Sequence, residues 1–379
     1  MMNHPIAHKY DGAAEVEAQI AAREPDTTDY SAQVHRTVDT YHPKRLHLSV
    51  AEIRPETATS ATFQMRARDG GLLPPFLAGQ YVNLFIDGTS RPFAISSSPV
   101  HRDHYDLTVR RVPGGRVSNL LLDTLAVGDE VTTTGPMGTF YHNPLFHGDD
   151  VVFLAGGSGV APAMSMIRDI VDNGAERRFH LIYGSRASGD VIFRAELNRL
   201  AAAHANIRVD HVIAEPDEAW PGASGFITAD VIQDLAGDPA GRMVYVCGPQ
   251  AMYEFALAEL ALLGHPRHRI RFEANGAPAD PAARASWPTG LDPAEQVTVT
   301  TRQGSFRTPR NRPLLDALED QGISLEVACR SGECSLCRVR VLSGEVHTAD
   351  EAKPRMSDAA FGYVHSCVSY PLTDVELDL

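Results

Sequence analysis

The stretch VACRSGECSLCRV, residues 327–339, decides the fold of the C-terminal part of this chain. It places three of the five cysteines, Cys329, Cys334 and Cys337, in the spacing C-x4-C-x2-C, and Cys367 follows further along the chain. Four cysteines in this pattern are typical of a [2Fe-2S] cluster, in which four thiolates hold two irons inside a wrapped loop. The spacing therefore predicts that these four residues are metal ligands.

A structural zinc site is the main alternative for these cysteines. Such a site usually presents two C-x2-C knuckles or a Cys/His pair, whereas Cys367 stands alone. The small residues Ser331, Gly332 and Ser335 lie between the other three cysteines. They favour the cluster, because a loop folded tightly around it has no room for bulk and turns backbone N–H groups towards sulfur.

The composition limits the remaining functions. With 379 residues the chain is long enough for two or three domains, and 43% hydrophobic against 22% charged residues suits a globular protein. The formal net charge of −14 argues against nucleic acid or an anionic bilayer as a partner. No secretory signal and no apolar run of about 20 residues is visible. We therefore expect a cytoplasmic protein without a membrane span.

Changes of pattern along the chain predict five segments, of which two precede residue 147. Residues 1–45 are polar and acidic, contain one helical stretch, AAEVEAQIAAREP, and form an N-terminal extension. From residue 46 to 146, about six short alternating segments are separated by turn residues. That spacing predicts an antiparallel β-barrel.

The other three segments have different textures. From 147 to 276, apolar strands such as VVFLA and RMVYVCG alternate with helical stretches, which predicts an α/β domain with a parallel sheet. Residues 277–294 are rich in Ala and Pro and are interpreted as a linker. Residues 295–379 open with a hairpin, QVTVTTRQGSFRTP, followed by a helix that ends at Gly322 and by the cysteine loop.

Two stretches of the barrel carry chemistry that suits a flavin. In RPFAISSSP, residues 91–99, Arg91 can pair with phosphate, Phe93 can pack on the ring system, and the serine hydroxyls can bond ring heteroatoms. In VRRVPGGRVSNLL, a Gly-Gly-Arg turn precedes an apolar helical turn whose N-terminus can bind a phosphate. A plain strand end rich in turn residues is the alternative for the first stretch.

Together, these motifs resemble the ferredoxin-NADP reductase superfamily, and residues 295–379 resemble plant-type ferredoxins. The order of flavin barrel, nucleotide domain and ferredoxin is similar to that of phthalate dioxygenase reductase-like iron-sulfur flavoproteins. The resemblance implies a β-grasp fold for the ferredoxin domain. It also assigns flavin contacts to Arg91, Pro92, Phe93, Ala94, Ser96, Gly115, Arg116, Val117 and Ser118.

The resemblance extends to the parallel domain. FLAGGSGVAPAM is not G-x-G-x-x-G, but it resembles the nucleotide loop of the superfamily, and YVCGPQAM resembles its C-G-P segment, which places a cysteine beside the nicotinamide. A simply buried thiol is the alternative for Cys247. The implied nucleotide contacts are Gly156, Gly157, Gly159, Ala161, Pro162, Ser185, Arg186, Cys247, Gly248 and Pro249.

The family pattern also predicts how the sites react. It implies that hydride from NAD(P)H reduces flavin N5 and that single electrons then pass through the cluster to a partner protein, such as an oxygenase or demethylase component. The implied catalytic residues are Cys247 and Ser96, the latter because Ala94 replaces the serine that the family places near N5. GGRVSNLL resembles FAD-binding members more than FMN-binding ones, so FAD is expected.

Two questions stay open at the level of sequence. Ser185 and Arg186 end a strand that has no acidic residue to bond a ribose 2′-OH, so this strand end could accept the 2′-phosphate of NADPH. Relatives with an arginine at this position often use NADH, however. We therefore expect NADH or NADPH. The chain also fits a self-contained reductase of a small molecule, or a non-catalytic electron-carrier module.

Overall fold

The computed structural model describes residues 12–23, 29–41, 43–86, 88–273, 276–278, 280–350 and 352–379. The chain divides into two compact units, residues 1–42 and 43–379. The described part of the first unit consists of two helices, α1 (Ala13–Ala21) and α2 (Ser31–Tyr41). The sequence predicted α1 but not α2, whose described side chains are all exposed and which therefore lacks the buried stripe that periodicity detects.

The flavin barrel is a six-stranded antiparallel sheet in the order β4-β3-β6-β1-β2-β5. An antiparallel bridge between Ile95 and Leu107 connects the two end strands, so the sheet curls into a barrel. Its apolar interior includes Leu48, Phe63 and Tyr105. The elements are β1 (Leu46–Thr57), β2 (Ser60–Ala67), β3 (Tyr81–Ile86), β4 (Thr89–Ala94), β5 (Tyr105–Arg110), α3 (Arg116–Thr124), β6 (Glu130–Thr133) and α4 (Pro144–His147).

The nucleotide domain is a six-stranded parallel sheet in the order β10-β9-β8-β7-β11-β12. Separate apolar clusters cover its two faces, which explains why its strands are continuous apolar runs rather than alternating ones. The elements are β7 (Asp150–Gly156), α5 (Val160–Asp172), β8 (Arg178–Ser185), α6 (Arg194–Ala203), β9 (Ile207–Ile213), β10 (Ala223–Ser224), α7 (Ala229–Ala236), β11 (Met243–Cys247), α8 (Gln250–Leu262) and β12 (Ile270–Glu273).

The ferredoxin domain is a mixed five-stranded sheet in the order β14-β13-β19-β15-β17, with helix α9 packed close by. The predicted hairpin is present, and Gly322 follows α9 in the left-handed region with φ 76°. The elements are β13 (Gln296–Thr301), β14 (Gly304–Pro309), α9 (Leu314–Asp320), β15 (Arg338–Ser343), β16 (Val346–Thr348), α10 (Met356–Ala360), β17 (Tyr363–His365), β18 (Ser369–Pro371) and β19 (Val375–Asp378).

The segment interpreted as a linker, 277–294, packs on the ferredoxin domain where it is described. Trp287 is buried against the rings of His347 and Tyr370. Arg284 forms an ion pair of 2.5 Å with Glu254 of helix α8. Composition alone did not show this, because a single tryptophan among Ala and Pro residues produces no periodicity.

Buried contacts connect the three domains of the second unit. The side-chain amide of Asn83, in β3, donates to the carbonyl oxygen of Val327 at 2.8 Å and is fully buried. Arg168, in α5, donates to the carbonyl oxygen of Ser96 at 2.7 Å and lies 3.4 Å from the carboxylate of Asp106. The predicted combination of antiparallel barrel, parallel α/β domain and C-terminal β-grasp ferredoxin domain is confirmed. Among the described residues, no helix is long and apolar enough to cross a membrane.

Candidate active site

One cavity of about 1010 Å³ lies where the three domains meet. We call its three sides the flavin wall, the nucleotide wall and the cluster wall. The flavin wall includes Arg91, Pro92, Phe93, Ala94, Thr108, Arg110, Gly115, Arg116, Val117 and Ser118. The nucleotide wall includes Gly157, Gly159, Ala161, Pro162, Arg186, Cys247, Gly248, Pro249 and Glu273, and the cluster wall includes Leu315, Asp316, Cys329, Arg330, Ser331 and Cys367.

The cysteine loop wraps around the sulfur of Cys329. The backbone N–H groups of Ser331, Glu333 and Cys334 point to this sulfur at 3.4, 3.3 and 3.4 Å. Arg330 and Ser335 adopt positive φ angles of 54° and 61°, which non-glycine residues rarely do. Backbone donors aimed at one sulfur stabilise a thiolate, so the loop has the conformation that a metal–sulfur cluster requires.

The four predicted ligands form a connected chain of contacts. Cys329 interacts with both Cys334 and Cys367, and Cys367 also interacts with Cys337. The interaction with Cys334 and Cys367 lowers the pKa of Cys329, whereas that with Cys329 raises the pKa of Cys334. Cys329 is thus paired with Cys334, and Cys337 with Cys367, which is the grouping that two irons with two protein ligands each require.

The cluster wall reaches the flavin wall through charged side chains. Arg330 forms ion pairs with Glu319, at 2.5 Å, and with Asp316, at 3.6 Å. Burial, and then the nearby Arg330 guanidinium, lower the pKa of Arg91. Tyr81 is also buried here, and its pKa is raised by burial and by the thiols of Cys329 and Cys334. The flavin wall and the cluster loop therefore lie within electrostatic reach of each other.

The predicted flavin residues do not all line the cavity. Arg91, Phe93 and Ala94 do, whereas Ser96 does not. The hydroxyl of Ser96 is fully buried, 3.1 Å from the carbonyl oxygen of Asp106 and 3.0 Å from the hydroxyl of Thr108. Thr108 itself lines the cavity, so it stands between Ser96 and the space for a flavin. The catalytic role of Ser96 stays a prediction, and Thr108 is a candidate that the sequence motif did not reveal.

The Gly-Gly-Arg turn precedes a helix as the sequence predicted, while its binding of a phosphate stays a prediction. Gly115 precedes the first turn of α3, and the hydroxyl of Ser118 accepts a hydrogen bond from the backbone N–H of Val112 at 3.1 Å. A Cβ at Gly115 would lie 2.8 Å from this hydroxyl, so the turn is too tight for a side chain. The backbone N–H groups at the start of α3 are therefore positioned beside the cavity, where they can bind a phosphate.

The glycine-rich nucleotide loop approaches its neighbours very closely. A Cβ at Gly159 would lie 2.2 Å from the carbonyl oxygen of Cys247, and one at Gly157, where φ is 53°, would lie 2.5 Å from Arg110. A side chain at Gly159 would separate the loop from the end of β11, and one at Gly157 would displace Arg110. Gly156 does not line the cavity; it allows the sulfur of Met252 to approach. Arg110 comes from the barrel, and the sequence assigned it no contact although it lies in the quoted stretch VRRVPGGRVSNLL.

Cys247 lies at the end of a strand, next to an acid that the motif did not reveal. Cys247 and Glu273 are register partners on the parallel strands β11 and β12, and the Cys247 sulfur is 3.8 Å from a Glu273 carboxylate oxygen. Glu273 is buried, and burial together with the carboxylate of Glu333 raises its pKa to about 8. Glu333 belongs to the cluster loop and is paired with Lys353. Glu273 thus interacts both with Cys247 and with the cluster loop.

An acid, Glu215, lies beside the ribose end of the nucleotide wall, although it does not itself line the cavity. Arg186 lines the cavity and pairs at 3.2 Å with Glu215, which follows the neighbouring strand β9. Both side chains are largely exposed, at 71% and 65%. Ser185 is buried and does not line the cavity. No acid ends β8 itself, but the parallel pairing of β8 with β9 brings the end of β9, and with it Glu215, beside Arg186.

The residues present fit the cofactors that the motifs predict. The cavity is at the upper end of the range of about 300–1,000 Å³ for small-molecule sites, so it has room for a flavin and a nicotinamide together. The tight glycine turns leave backbone N–H groups for phosphates, and the four cysteines supply thiolates for a cluster. Two of these cysteines, Cys329 and Cys367, line the same cavity.

Comparison with known proteins agrees with this division. The chain matches the models of an oxidoreductase FAD-binding domain over residues 49–142, an oxidoreductase NAD-binding domain over 153–257 and a 2Fe-2S iron-sulfur cluster binding domain over 297–372. It is 33% identical over 361 residues to the glycine betaine monooxygenase reductase subunit of Pseudomonas aeruginosa, covering 90% of this chain and 97% of that protein.

Two further relatives share the whole arrangement. The ferredoxin reductase component of 3-ketosteroid-9-alpha-monooxygenase from Mycolicibacterium smegmatis is 31% identical, covering 87% of this chain and 95% of that protein. The structure of phthalate dioxygenase reductase, which transfers electrons from pyridine nucleotides to [2Fe-2S], superposes with a TM-score of 0.62 and 27% identity, covering 88% of this chain and 98% of that one. The chain therefore belongs to the phthalate dioxygenase reductase-like family, as an NAD(P)H-dependent oxidoreductase with FAD and a [2Fe-2S] cluster.

Proposed function

We propose that this chain is the reductase component of a multicomponent oxygenase and passes electrons from NADH to the oxygenase component. The observation that carries the proposal is the shared cavity: Phe93 of the flavin wall, Cys247 of the nucleotide wall and Cys329 of the cluster wall all line it. A short, fixed path from nucleotide to cluster is what a two-electron to one-electron converter needs. When bound, the flavin accepts a hydride from the nicotinamide and supplies single electrons to the cluster.

The residues of the flavin wall are proposed to bind and orient the flavin. Arg91 and the first turn of α3 are proposed to bind the phosphates of the flavin, because both present donors to the cavity. Phe93 is proposed to pack on its ring system or ribityl chain. Ser96 is proposed to act through Thr108, since their hydroxyls are 3.0 Å apart and only Thr108 lines the cavity.

On the nucleotide wall, the protein positions the nicotinamide. Gly157, Gly159, Ala161 and Pro162 are proposed to hold the pyrophosphate of the nucleotide at the start of α5. The segment Cys247–Pro249 is proposed to place the nicotinamide ring, with the buried side chain of Glu273 behind the Cys247 sulfur. Small errors in such placement reduce hydride transfer strongly.

The cluster is proposed to be held by Cys329, Cys334, Cys337 and Cys367. Its loop is fixed to the barrel by the buried hydrogen bond between Asn83 and Val327, two residues before the first ligand. Because this bond is removed from water, it keeps the loop in one position relative to the flavin wall. Asn83 is therefore proposed as a positioning residue for electron transfer.

The charge pair at the ribose end supports NADH as the preferred nucleotide. The carboxylate of Glu215 lies 3.2 Å from the Arg186 guanidinium. It therefore neutralises the positive charge that would otherwise attract a 2′-phosphate. A carboxylate at this position also accepts hydrogen bonds from the ribose hydroxyls of NADH and repels the phosphate of NADPH. We place the reaction in the cytoplasm, since NADH is supplied there and none of the five cysteines, all of which the structure describes, forms a disulfide.

Anaerobic stopped-flow absorption tests the proposal. The holoprotein is reduced with one equivalent of NADH and mixed with the oxygenase subunit of the glycine betaine or the 3-ketosteroid system. We expect the cluster to be reoxidised by at least one of them, while Cys334→Ala, which lacks a proposed ligand, reduces dyes but not the oxygenase. If neither oxygenase subunit reoxidised the cluster of the wild type while a small-molecule acceptor did, the chain would instead be a self-contained reductase.

A further inference from the structure

Three large apolar side chains are exposed beside the cluster loop. Leu336 lies between two of the proposed ligands, Cys334 and Cys337, and is 40% exposed; Met356 and Phe361, at the two ends of α10, are 91% and 68% exposed. Isolated exposed apolar residues are normal on protein surfaces, but a group of them close to a functional loop indicates a contact surface.

Hydrogen bonds hold α10 and its leading segment against the cluster loop. The carbonyl oxygen of Gly332 accepts from the backbone N–H of Lys353 at 3.0 Å and lies 2.7 Å from the Nδ1 of His365. Arg338, which directly follows Cys337, pairs with Asp358 of α10 at 3.3 Å. The cluster loop, the start of β15 and α10 therefore form one continuous surface.

Two arginines on this surface lack an ion-pair partner. The charges of Arg338 and Lys353 are offset by Asp358 and Glu333. Arg340 and Arg355 are exposed and form no ion pair with any residue that the structure describes, because Asp378, the strand neighbour of Arg340, pairs with Arg302 instead. We call Leu336, Arg340, Arg355, Met356 and Phe361 the α10 patch.

Of the four proposed ligands, the one nearest in sequence to Leu336 on its N-terminal side is also the least buried. Cys329, Cys337 and Cys367 are buried, whereas Cys334 is only partly buried. Because electron tunnelling weakens steeply with distance, an acceptor must approach where the protein layer over the cluster is thinnest. The α10 patch begins two residues after Cys334, at Leu336.

We infer that the α10 patch docks the electron-accepting protein, and that the acceptor presents acidic side chains around an apolar contact next to its redox centre. The inference rests on the proposed function. Opposite charges speed the encounter and fix its orientation, while a small apolar contact keeps the complex transient. Arg340 and Arg355 supply the charge, and Leu336, Met356 and Phe361 supply the apolar contact.

The test uses two soluble one-electron acceptors of opposite charge, the acidic cytochrome b5 and the basic cytochrome c. In Arg340→Glu/Arg355→Glu, we expect kcat/KM for cytochrome b5 to fall about tenfold, mainly through KM, and its dependence on salt to reverse. Reduction of cytochrome c is expected to stay equal or to increase. NADH oxidation with dichlorophenolindophenol, which needs no docking, is expected to stay within about twofold of wild type.

A matched control keeps the total charge change the same. Arg199→Glu/Arg307→Glu changes two exposed arginines, one on α6 and one on β14, at the opposite edge of the ferredoxin sheet from β17. It should leave cytochrome b5 reduction within about twofold, because screened charges far from the contact act weakly. An equal fall in both double variants would overturn the inference, since only net charge would then matter.

A second copy of the chain is the competing occupant of the patch. If gel filtration showed a wild-type dimer that Arg340→Glu/Arg355→Glu converts to a monomer without a change in cytochrome b5 kinetics, the acceptor assignment would be wrong. Met356→Ser/Phe361→Ser should also raise KM for cytochrome b5 while leaving its salt dependence intact. If the wild type reduced neither cytochrome although an oxygenase subunit reoxidised its cluster, this inference would be overturned and the proposed function would stand.

Discussion

The cluster wall and the nucleotide wall of the cavity are assembled in opposite ways. Three of the four cluster cysteines come from one loop of nine residues, 329–337, and the thiols interact with one another. On the nucleotide wall, Gly159, Arg186, Cys247 and Glu273 follow or end four different strands of one sheet. The first wall depends on local backbone conformation, and the second depends on the alignment of strand ends.

The difference has a physical reason in what each wall holds. A cluster stays bound and must be shielded, so its ligands are mostly buried and its loop is fixed by Asn83 to the barrel. A nucleotide binds and leaves in each cycle, so the pair of Arg186 and Glu215 lies open to solvent. Substitutions on the cluster wall should therefore impair cluster binding, whereas those on the nucleotide wall should impair reduction of the flavin by the nucleotide.

The largest effect is expected on the cluster wall, from Cys334→Ala. Removal of one of four thiolates should abolish the visible absorption of the cluster, because the remaining three ligands leave one iron incompletely bound. Flavin absorption and NADH-dependent dye reduction should remain, while transfer to protein acceptors is lost. Iron analysis and absorption spectra measure the outcome. A full cluster in this variant would contradict the ligand assignment.

The next largest effect is expected across the cavity, from Cys247→Ala. This variant should keep both chromophores but reduce its flavin about a hundredfold more slowly, since the thiol helps to place the nicotinamide ring. Stopped-flow spectra separate the two steps because flavin and cluster bleach at different wavelengths. Loss of the cluster in Cys247→Ala, or an unchanged rate of flavin reduction, would contradict the assignment of Cys247 to the nicotinamide site.

The sequence predicted the cluster wall better than the nucleotide wall, and the construction of each wall explains why. Spacing within a loop is visible in one dimension, so Cys329, Cys334 and Cys337 could be identified directly. Glu215 and Glu273 became visible only when parallel pairing aligned Arg186 with the end of β9 and Cys247 with Glu273. No local motif encodes such an alignment.

Two other regions show the same limit. Helix α2 was not predicted because its described side chains bury nothing, and periodicity detects only a buried stripe. Ser96 was selected because it is close in sequence to the missing family serine at Ala94. Strand β4 ends at Ala94, however, and the Ser96 hydroxyl beyond it contacts Thr108 and the carbonyl oxygen of Asp106 rather than the cavity. The three-domain order was predictable because each domain has its own residue texture.

A smaller effect is expected at the open end of the nucleotide wall, from Glu215→Ala. Without the carboxylate, Arg186 can attract a 2′-phosphate, so kcat/KM for NADPH should rise about tenfold while that for NADH falls modestly. Arg186→Ala should do the reverse and weaken NADPH more than NADH. Steady-state dye reduction with both nucleotides measures the ratio. Equal changes for the two nucleotides would show that this pair does not read the ribose.

The smallest effect, on stability rather than rate, is expected between the walls at Glu273. Its pKa is about 8 in the folded protein, raised from an ordinary 4.5 by burial and by Glu333, so the folded state holds a proton that the unfolded chain releases. The contribution of Glu273 to stability is therefore fully present below pH 4.5, declines as the pH rises, and is lost above about pH 8.

Glu273→Gln should remove this decline, because an amide keeps a neutral group at every pH. Relative to wild type, the apparent Tm of the holoprotein should rise by a few degrees at pH 8.5 and change little at pH 5. Glu215→Gln serves as the control, because Glu215 is an exposed carboxylate at the same C-terminal end of the parallel sheet. This variant should follow the wild-type profile. Parallel profiles for Glu273→Gln and wild type would mean that Glu273 is already ionised in the folded protein, with Lys353 as the cation near enough to stabilise it.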